Sequence, residues 1–260
     1  MSVLCSLFSN LKLYPFTPFC KQDTSKQEGA YKKNIIIVRI MVKTFCEAAD
    51  FTAFKVVDGD IYRVAWAKTM QVEKTEDGHE KESSLCDYML ERYDYKPSMD
   101  LVLNDILESG EQASMEEIRE ISEGLGAEPL GYMKKAMLAY IDMYDSSSSV
   151  NYFLLNGESH WLDFNLRDRV FQGNERLKLM GRTDTTLWLD GMCIELPIEQ
   201  AQMLIANIEA YAKDCYNVTE RHKAEVKALK TYDDVMAYDI TAGYPEKIEL
   251  NISETNIISL

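Results

Sequence analysis

Residues 197–229 read PIEQAQMLIANIEAYAKDCYNVTERHKAEVKAL and form the longest periodic segment of the chain. After the proline, mainly apolar side chains recur every three or four residues, which places them on one face of an α-helix. The series consists of Leu204, Ile208, Tyr211, Cys215, Val218, His222, Val226 and Leu229. The sequence therefore predicts a long C-terminal helix with a continuous apolar stripe, called the seam below.

Two interpretations of this segment stay open. A single helix would be about 45 Å long at a rise of about 1.5 Å per residue, which is longer than a small domain. Its seam would then need further cover, for which a neighbouring subunit is one source. Alternatively, residues 217–219 separate a pair of helices, because Thr219 followed by Glu220 suits a new helix start.

Turn signals elsewhere predict β-hairpins. Asp58-Gly59, Asn156-Gly157 and Asp190-Gly191 each lie between two β-prone runs, which is typical of tight hairpin turns. Residues 95–145 carry helical spacing, whereas the charged residues 73–84 have no period and predict a loop. Strand pairs and helices alternate without the regular rhythm of βαβ units, so we expect an α+β fold of β-hairpins packed with helices.

Changes in composition suggest the domain boundaries. The four serines Ser146–Ser149 predict a linker between an N-terminal hairpin-plus-helix region, 41–145, and a C-terminal α+β domain, 150–260. Residues 1–40 carry a net charge of +4, whereas the rest of the chain carries −19. We therefore expect Met41 to be the physiological start, and residues 1–40 to be untranslated or disordered. An ordered N-terminal arm is the alternative.

The composition argues against several classes of partner. With a net charge of −15 and no dense run of Lys or Arg, the chain should repel nucleic acid. No run approaches the roughly eighteen apolar residues that span a membrane. The six cysteines and three histidines are scattered, without the spacing of metal ligands, so we expect reduced thiols and no metal or cofactor.

Few residues suggest catalysis. Ser159 and His160 are adjacent, but neighbours on a strand point to opposite faces, so His160 should not activate Ser159. Asp163 and Asp168 flank the start of an expected helix, and paired carboxylates can act as acid and base. An aspartate at a helix start more often stabilises the helix end alone. We therefore expect no catalytic site.

Aromatic residues are concentrated in the C-terminal hundred residues. Tyrosine and tryptophan are frequent anchors of protein interfaces, although core packing is the commoner use. The candidate interface residues are Trp161, Trp188, Tyr211, Tyr216, Tyr238 and Tyr244.

Four short segments carry a resemblance to a known family. They are WLDFNLRDR at 161–169, TTLWLDG at 185–191, YAKDCYNVTERH at 211–222 and YDITAGYP at 238–245. Together they resemble domain of unknown function 4376, a family of bacteriophage and prophage proteins often encoded near tail or tail-fibre genes, over about residues 150–255. The resemblance implies a phage context and a tail-associated role. The resemblance brings no catalytic residues. Because this chain lacks the repetitive β-rich sequence of a tail fibre, an accessory or adaptor role is favoured over that of the fibre itself.

The combined expectation is a tail-associated structural or assembly protein without catalytic activity. Its partners would be other virion or tail-assembly proteins and further copies of itself, with no nucleic acid and no membrane. It would act in the bacterial host cytoplasm during assembly and in the virion. The alternative is a small host-directed phage protein, either an enzyme or an inhibitor such as an acidic nucleic-acid mimic.

Overall fold

The computed structural model describes residues 41–74, 78–253 and 257–258, so the expectations for residues 1–40 lie outside it. The strands are β1 (Val42–Glu47), β2 (Phe54–Val57), β3 (Ile61–Lys74), β4 (Glu80–Tyr93), β5 (Phe153–Leu155), β6 (Glu158–His160), β7 (Asp184–Leu189), β8 (Met192–Pro197), β9 (Glu249–Leu250) and β10 (Ile257–Ile258). The helices are α1 (Met99–Glu108), α2 (Met115–Leu125), α3 (Pro129–Asp145), α4 (Phe164–Leu179), α5 (Ile198–Ala228) and α6 (Tyr232–Met236). Antiparallel hairpins packed with helices confirm the predicted α+β class.

The first sheet has the strand order β1-β4-β3-β2, with all neighbours antiparallel. Its β3–β4 hairpin corrects the predicted loop at 73–84, because Glu73 and Lys74 end β3 and residues 80–84 begin β4. Opposite charges pair across this end of the hairpin, Glu73 with Lys81 and Lys74 with Glu80. Such pairs stabilise a solvated ladder without apolar residues, which is why the strand ends lack a hydrophobic pattern.

Helices α1 to α3 pack on this sheet and form the first core. Helix α2 begins with a capping box, in which Ser114 and Glu117 each bind the other's backbone N–H. Fully buried Trp66, Ile118 and Ile141 lie in this core. Val226 of α5 and Val235 of α6 also belong to it, so the end of the chain helps to cover the N-terminal helices.

A second core lies under the C-terminal hairpins. Strands β7 and β8 pair with the short β10, and the β5–β6 hairpin pairs in parallel with β9. The turns at Asn156-Gly157 and Asp190-Gly191 have positive φ at both residues, which two-residue hairpin turns require. Phe153, Leu187 and Ile194 fill this core together with the first half of α5.

Helix α5 is one uninterrupted helix, so the alternative of a helix pair is wrong. Thr219 does not start a new helix, because its hydroxyl donates to the carboxylate of Asp145 at 2.6 Å and also lies 3.2 Å from the Cys215 carbonyl of the preceding turn. Its side chain thereby ties α5 to the end of α3 instead of capping a new backbone segment.

The seam of α5 is covered within the chain. Leu204 and Ile208 lie in the second core, Tyr211 and Cys215 pack with Val150 in a small cluster of their own, and Val226 lies in the first core. A neighbouring subunit is therefore not needed to bury this stripe.

The serine run lies directly after α3, inside the compact unit Val38–Leu260. Ser146 follows the last helical residue, and the Ser147 hydroxyl donates to the Tyr144 carbonyl at 2.7 Å. The division into domains at 146–149 stays a prediction, and α5 contacts elements on both sides of it.

Candidate functional site

A mainly apolar groove lies between α4 and α5. Its volume is about 400 Å³. The lining residues are Phe164, Arg167, Asp168, Phe171, Ile205, Ala206 and Glu209. An open, mainly apolar cavity with a few charged groups is the kind of site that receives a side chain or a small molecule.

Helix α4 turns two phenylalanines towards this groove because its other face is committed to the core. The helix starts at Asp163, whose carboxylate accepts from the Leu166 backbone N–H at 2.8 Å. Leu166 and Val170 pack against the second core. Phe164 and Phe171, seven residues apart and thus on one helix face, remain 63% and 39% exposed. Large aromatic side chains left exposed in a groove are typical of binding surfaces.

One end of the groove holds a rigid cation. Arg167 is buried, its Nε donates to the Glu209 carboxylate at 2.6 Å, and its Nη1 donates to the Leu162 carbonyl. The guanidinium also lies over the Trp161 ring, 5.3 Å from the ring centroid. Because Arg167 already has these partners, it orders the groove wall more than it offers a free charge.

Outside the groove lining, Gln202 of α5 forms hydrogen bonds to two residues of α4. It accepts from Lys178 at 3.0 Å and donates to Glu175, both on α4. The neighbouring side chains Leu179, Met180 and Met203 are all more than half exposed. This part of the molecule therefore presents several large apolar groups to solvent.

The predicted interface aromatics divide into exposed residues and residues that make contacts within the chain. Trp188 on β7 and Tyr216 on α5 are about half exposed. Trp161 is half-buried beneath Arg167. The three tyrosines Tyr211, Tyr238 and Tyr244 instead lie in contacts within the chain.

These internal contacts hold residues 238–248, called the closing segment, against α5. Lys247 donates to the Tyr211 hydroxyl at 2.6 Å and to the Val150 carbonyl at 2.8 Å, with its ammonium 4.0 Å from the centroid of the Tyr152 ring. Tyr211 itself is buried and donates to the same Val150 carbonyl at 2.9 Å. Burial lowers the pKa of the Lys247 ammonium and raises that of the Tyr211 hydroxyl.

Tyr238 anchors the other end of the closing segment. Its hydroxyl donates to Glu225 at 2.7 Å and lies 2.6 Å from Nδ1 of buried His222, whose Nε2 lies 2.8 Å from the Ala242 carbonyl. Burial and the hydrogen bond to Glu225 raise the pKa of Tyr238. Tyr244 stacks on His222. The network fixes both the closing segment and the second half of α5.

The acid and base candidates do not converge. On β6, His160 is buried whereas Ser159 is exposed. Nδ1 of His160 lies 2.8 Å from the Asp190 carboxylate, and its Nε2 has no hydrogen-bond partner among the residues that the structure describes. Asp163 caps α4 and Asp168 lines the groove. The arrangement thus pairs His160 with a hairpin-turn aspartate and not with either predicted carboxylate.

Sequence reasoning missed the groove residues Phe164, Phe171, Arg167 and Glu209. The signal was present in part, since Phe164 and Phe171 recur at seven residues on a face that does not carry Leu166 and Val170. The pairing of Arg167 with Glu209, 42 residues later, has no local sequence signal.

Two further features, a metal site and a membrane-spanning helix, were sought in the part of the chain that the structure describes. No group of three or more His, Cys, Asp or Glu side chains there is arranged to hold a metal ion, and no helix there has the length and apolarity to cross a bilayer. Comparison with protein-family models, curated proteins and solved structures gives no match to this chain.

Proposed function

We propose that this chain is a phage or prophage tail-associated interaction protein that binds another virion or tail-assembly protein through the α4–α5 groove. The observation that carries the proposal is the exposure of Phe164 and Phe171 in a groove of about 400 Å³. The phage context comes from the resemblance of residues 150–255 to domain of unknown function 4376. The groove supports a binding role whatever the identity of the partner.

The chemistry of the groove favours a polypeptide ligand with a large apolar side chain. The lining combines phenyl rings and aliphatic groups with the carboxylates of Asp168 and Glu209. Glu209 is about half exposed although it accepts from Arg167. An apolar side chain next to a basic residue or a free backbone N–H would therefore satisfy both parts of the groove.

The proposal includes self-association and no catalytic step. Because the seam of α5 is covered within the chain, contacts between copies would use exposed side chains such as Trp188 and Tyr216. Contact of His160 with Asp190, and the use of Asp163 as the cap of α4, support the proposal that these residues carry out no catalytic step.

Mass spectrometry of purified particles tests the role directly. After induction of the strain that carries the gene, we expect peptides of this chain in purified particles or tail intermediates at a fixed ratio to the major tail proteins. The most N-terminal peptide would also test the predicted start at Met41. An abundant protein in the lysate that is missing from both particles and intermediates would contradict the proposal and favour the host-directed alternative.

Substitution of the groove phenylalanines tests the site itself. We expect Phe164→Ser combined with Phe171→Ser to reduce incorporation into particles at least about tenfold, since buried aromatic anchors commonly contribute 2 kcal/mol or more to binding. The measurement is the ratio of this chain to a major tail protein, determined by quantitative mass spectrometry.

Phe45→Ser provides the matched control. Phe45 is exposed to the same extent as Phe164, at 63%, but lies on β1 and does not line the groove, so this variant should be incorporated like the wild type. Circular dichroism would establish that all variants are folded. Normal incorporation of the double variant would exclude the groove as the contact.

A further inference from the structure

Two cysteines lie directly opposite each other in the first sheet. Cys46 of β1 and Cys86 of β4 are register partners, between the pairs Phe45 with Asp87 and Glu47 with Leu85. Opposite residues of antiparallel strands have Cα atoms about 4.5 to 5.5 Å apart, which falls within the roughly 4.4 to 6.8 Å found for disulfides. The backbone is thus already placed for a bridge.

The side chains point towards each other. The two Sγ atoms are 3.1 Å apart, and both cysteines pack with Ala65 and Tyr88 on one face of the sheet. A disulfide bond of about 2.05 Å requires the sulfurs to approach by about a further 1 Å, which small rotations about χ1 provide.

We propose that Cys46 and Cys86 are a redox site that forms a reversible cross-strand disulfide with a small-molecule disulfide, such as oxidised glutathione, as the oxidant. The Cys46 thiolate attacks one glutathione sulfur and releases one glutathione thiolate. Cys86 then attacks the Sγ of Cys46 and releases the second. The two cysteines lose two electrons and two protons, and the oxidant becomes two molecules of reduced glutathione.

The order of attack follows from exposure. Cys46 is half-buried, whereas Cys86 is fully buried, so an external oxidant reaches Cys46 first. Burial and the contact with Cys86 raise the pKa of the Cys46 thiol to about 11, and the positive charges of Arg63 and Lys68 oppose this rise. Only the thiolate reacts, so the exchange should be slow at neutral pH and faster as the pH increases.

The disulfide would link the edge strand β1 covalently to its neighbour β4. Among the described strands, β1 pairs with β4 alone, and a disulfide between them closes a loop of about forty residues. A chain that folds with reduced thiols in a cytoplasm would gain this crosslink on transfer to an oxidising medium. The site would thus stabilise the chain outside the cell in which it was made.

Peptide mapping of the full chain in a glutathione redox buffer at pH 8.5 tests the proposal. After alkylation and digestion with trypsin under non-reducing conditions, we expect the peptides 44–55 and 82–92 to be joined. The midpoint of thermal unfolding should rise by about 5 °C on oxidation and return after reduction. In Cys46→Ser, oxidation should leave the midpoint unchanged.

One control tests whether the disulfide is specific to Cys46 and Cys86, and a second tests whether burial of the thiols prevents its formation. Cys193→Ala removes a buried cysteine on β8 that is not opposite another cysteine, so the joined peptides should persist. Refolding from denaturant in the same redox buffer removes the protection that burial gives to the thiols. If Cys46 and Cys86 are still fully alkylated after refolding, or if they pair with other cysteines, the proposal is overturned.

Discussion

Replacing Tyr211 with phenylalanine is expected to lower the free energy of unfolding by about 3 kcal/mol, because the lost hydroxyl binds a buried carbonyl and a partly buried ammonium. It accepts from the Lys247 ammonium and donates to the Val150 carbonyl. Without it, the ammonium keeps the Val150 carbonyl and the face of the Tyr152 ring. A partly buried charge that loses a hydrogen bond costs more than a neutral group in the same position. Urea denaturation followed by circular dichroism measures the change.

The charge explanation can be separated from a packing effect. Adding Lys247→Met to the Tyr211→Phe variant should recover about half of the loss, because it removes the partly buried charge while the Val150 carbonyl keeps the Tyr152 N–H as a donor. Tyr216→Phe, an exposed tyrosine on the same helix, should change stability by less than about 0.5 kcal/mol. A Tyr211→Phe variant as stable as this control would contradict the role assigned to the hydroxyl.

Two glycines in helices should respond in opposite directions to alanine. A Cβ built at Gly124 of α2 would lie 2.1 Å from Cδ1 of Phe54, whereas at Gly173 of α4 it meets no atom within 4 Å. We expect Gly124→Ala to lower the free energy of unfolding by about 2 kcal/mol through overpacking against Phe54. Gly173→Ala should raise it by about 0.5 to 1 kcal/mol, because alanine is the better helix former. Thermal or urea denaturation measures both changes.

A double-mutant cycle identifies the cause of the Gly124 effect. Phe54 lies on the edge strand β2, and its backbone N–H also lies 3.4 Å from the Glu120 carboxylate of α2. If the clash is with the ring, Gly124→Ala should cost little in a Phe54→Ala background. An equal cost in both backgrounds would show that the backbone of α2, and not the Phe54 ring, limits the space.

Local structure was largely predictable, since it depends on residues near one another in the chain. The α+β class, the hairpin turns at Asp58-Gly59, Asn156-Gly157 and Asp190-Gly191 and the apolar stripe over 198–228 follow from turn chemistry and helical spacing. The choice between one helix and a helix pair over 198–228 did not follow from the sequence. The β3–β4 hairpin is a second exception. Its outer end is stabilised by cross-strand charge pairs, and a charged ladder has the same composition as a loop.

The candidate site depended on contacts between distant residues. Nothing near Arg167 indicates that Glu209 will bind it, and nothing near Tyr211 or Glu225 indicates that the closing segment will contact them. The cluster of aromatic residues in the C-terminal hundred residues indicated a region rich in side-chain contacts. It did not indicate which of the rings are exposed to solvent. Exposure is a property of the packed molecule, because it depends on what covers each side chain.

The sequence by itself determined most of the local structure of this protein: the helical segments, three tight turns and an acidic composition. Tertiary structure alone decided that the seam of α5 is covered within the chain, that two phenylalanines remain exposed in a groove, and that Cys46 faces Cys86 across two strands. The physical reason is the distance along the sequence between the residues that interact. Helical spacing and turn conformation are local, whereas strand register and helix packing bring together residues 40 or more positions apart.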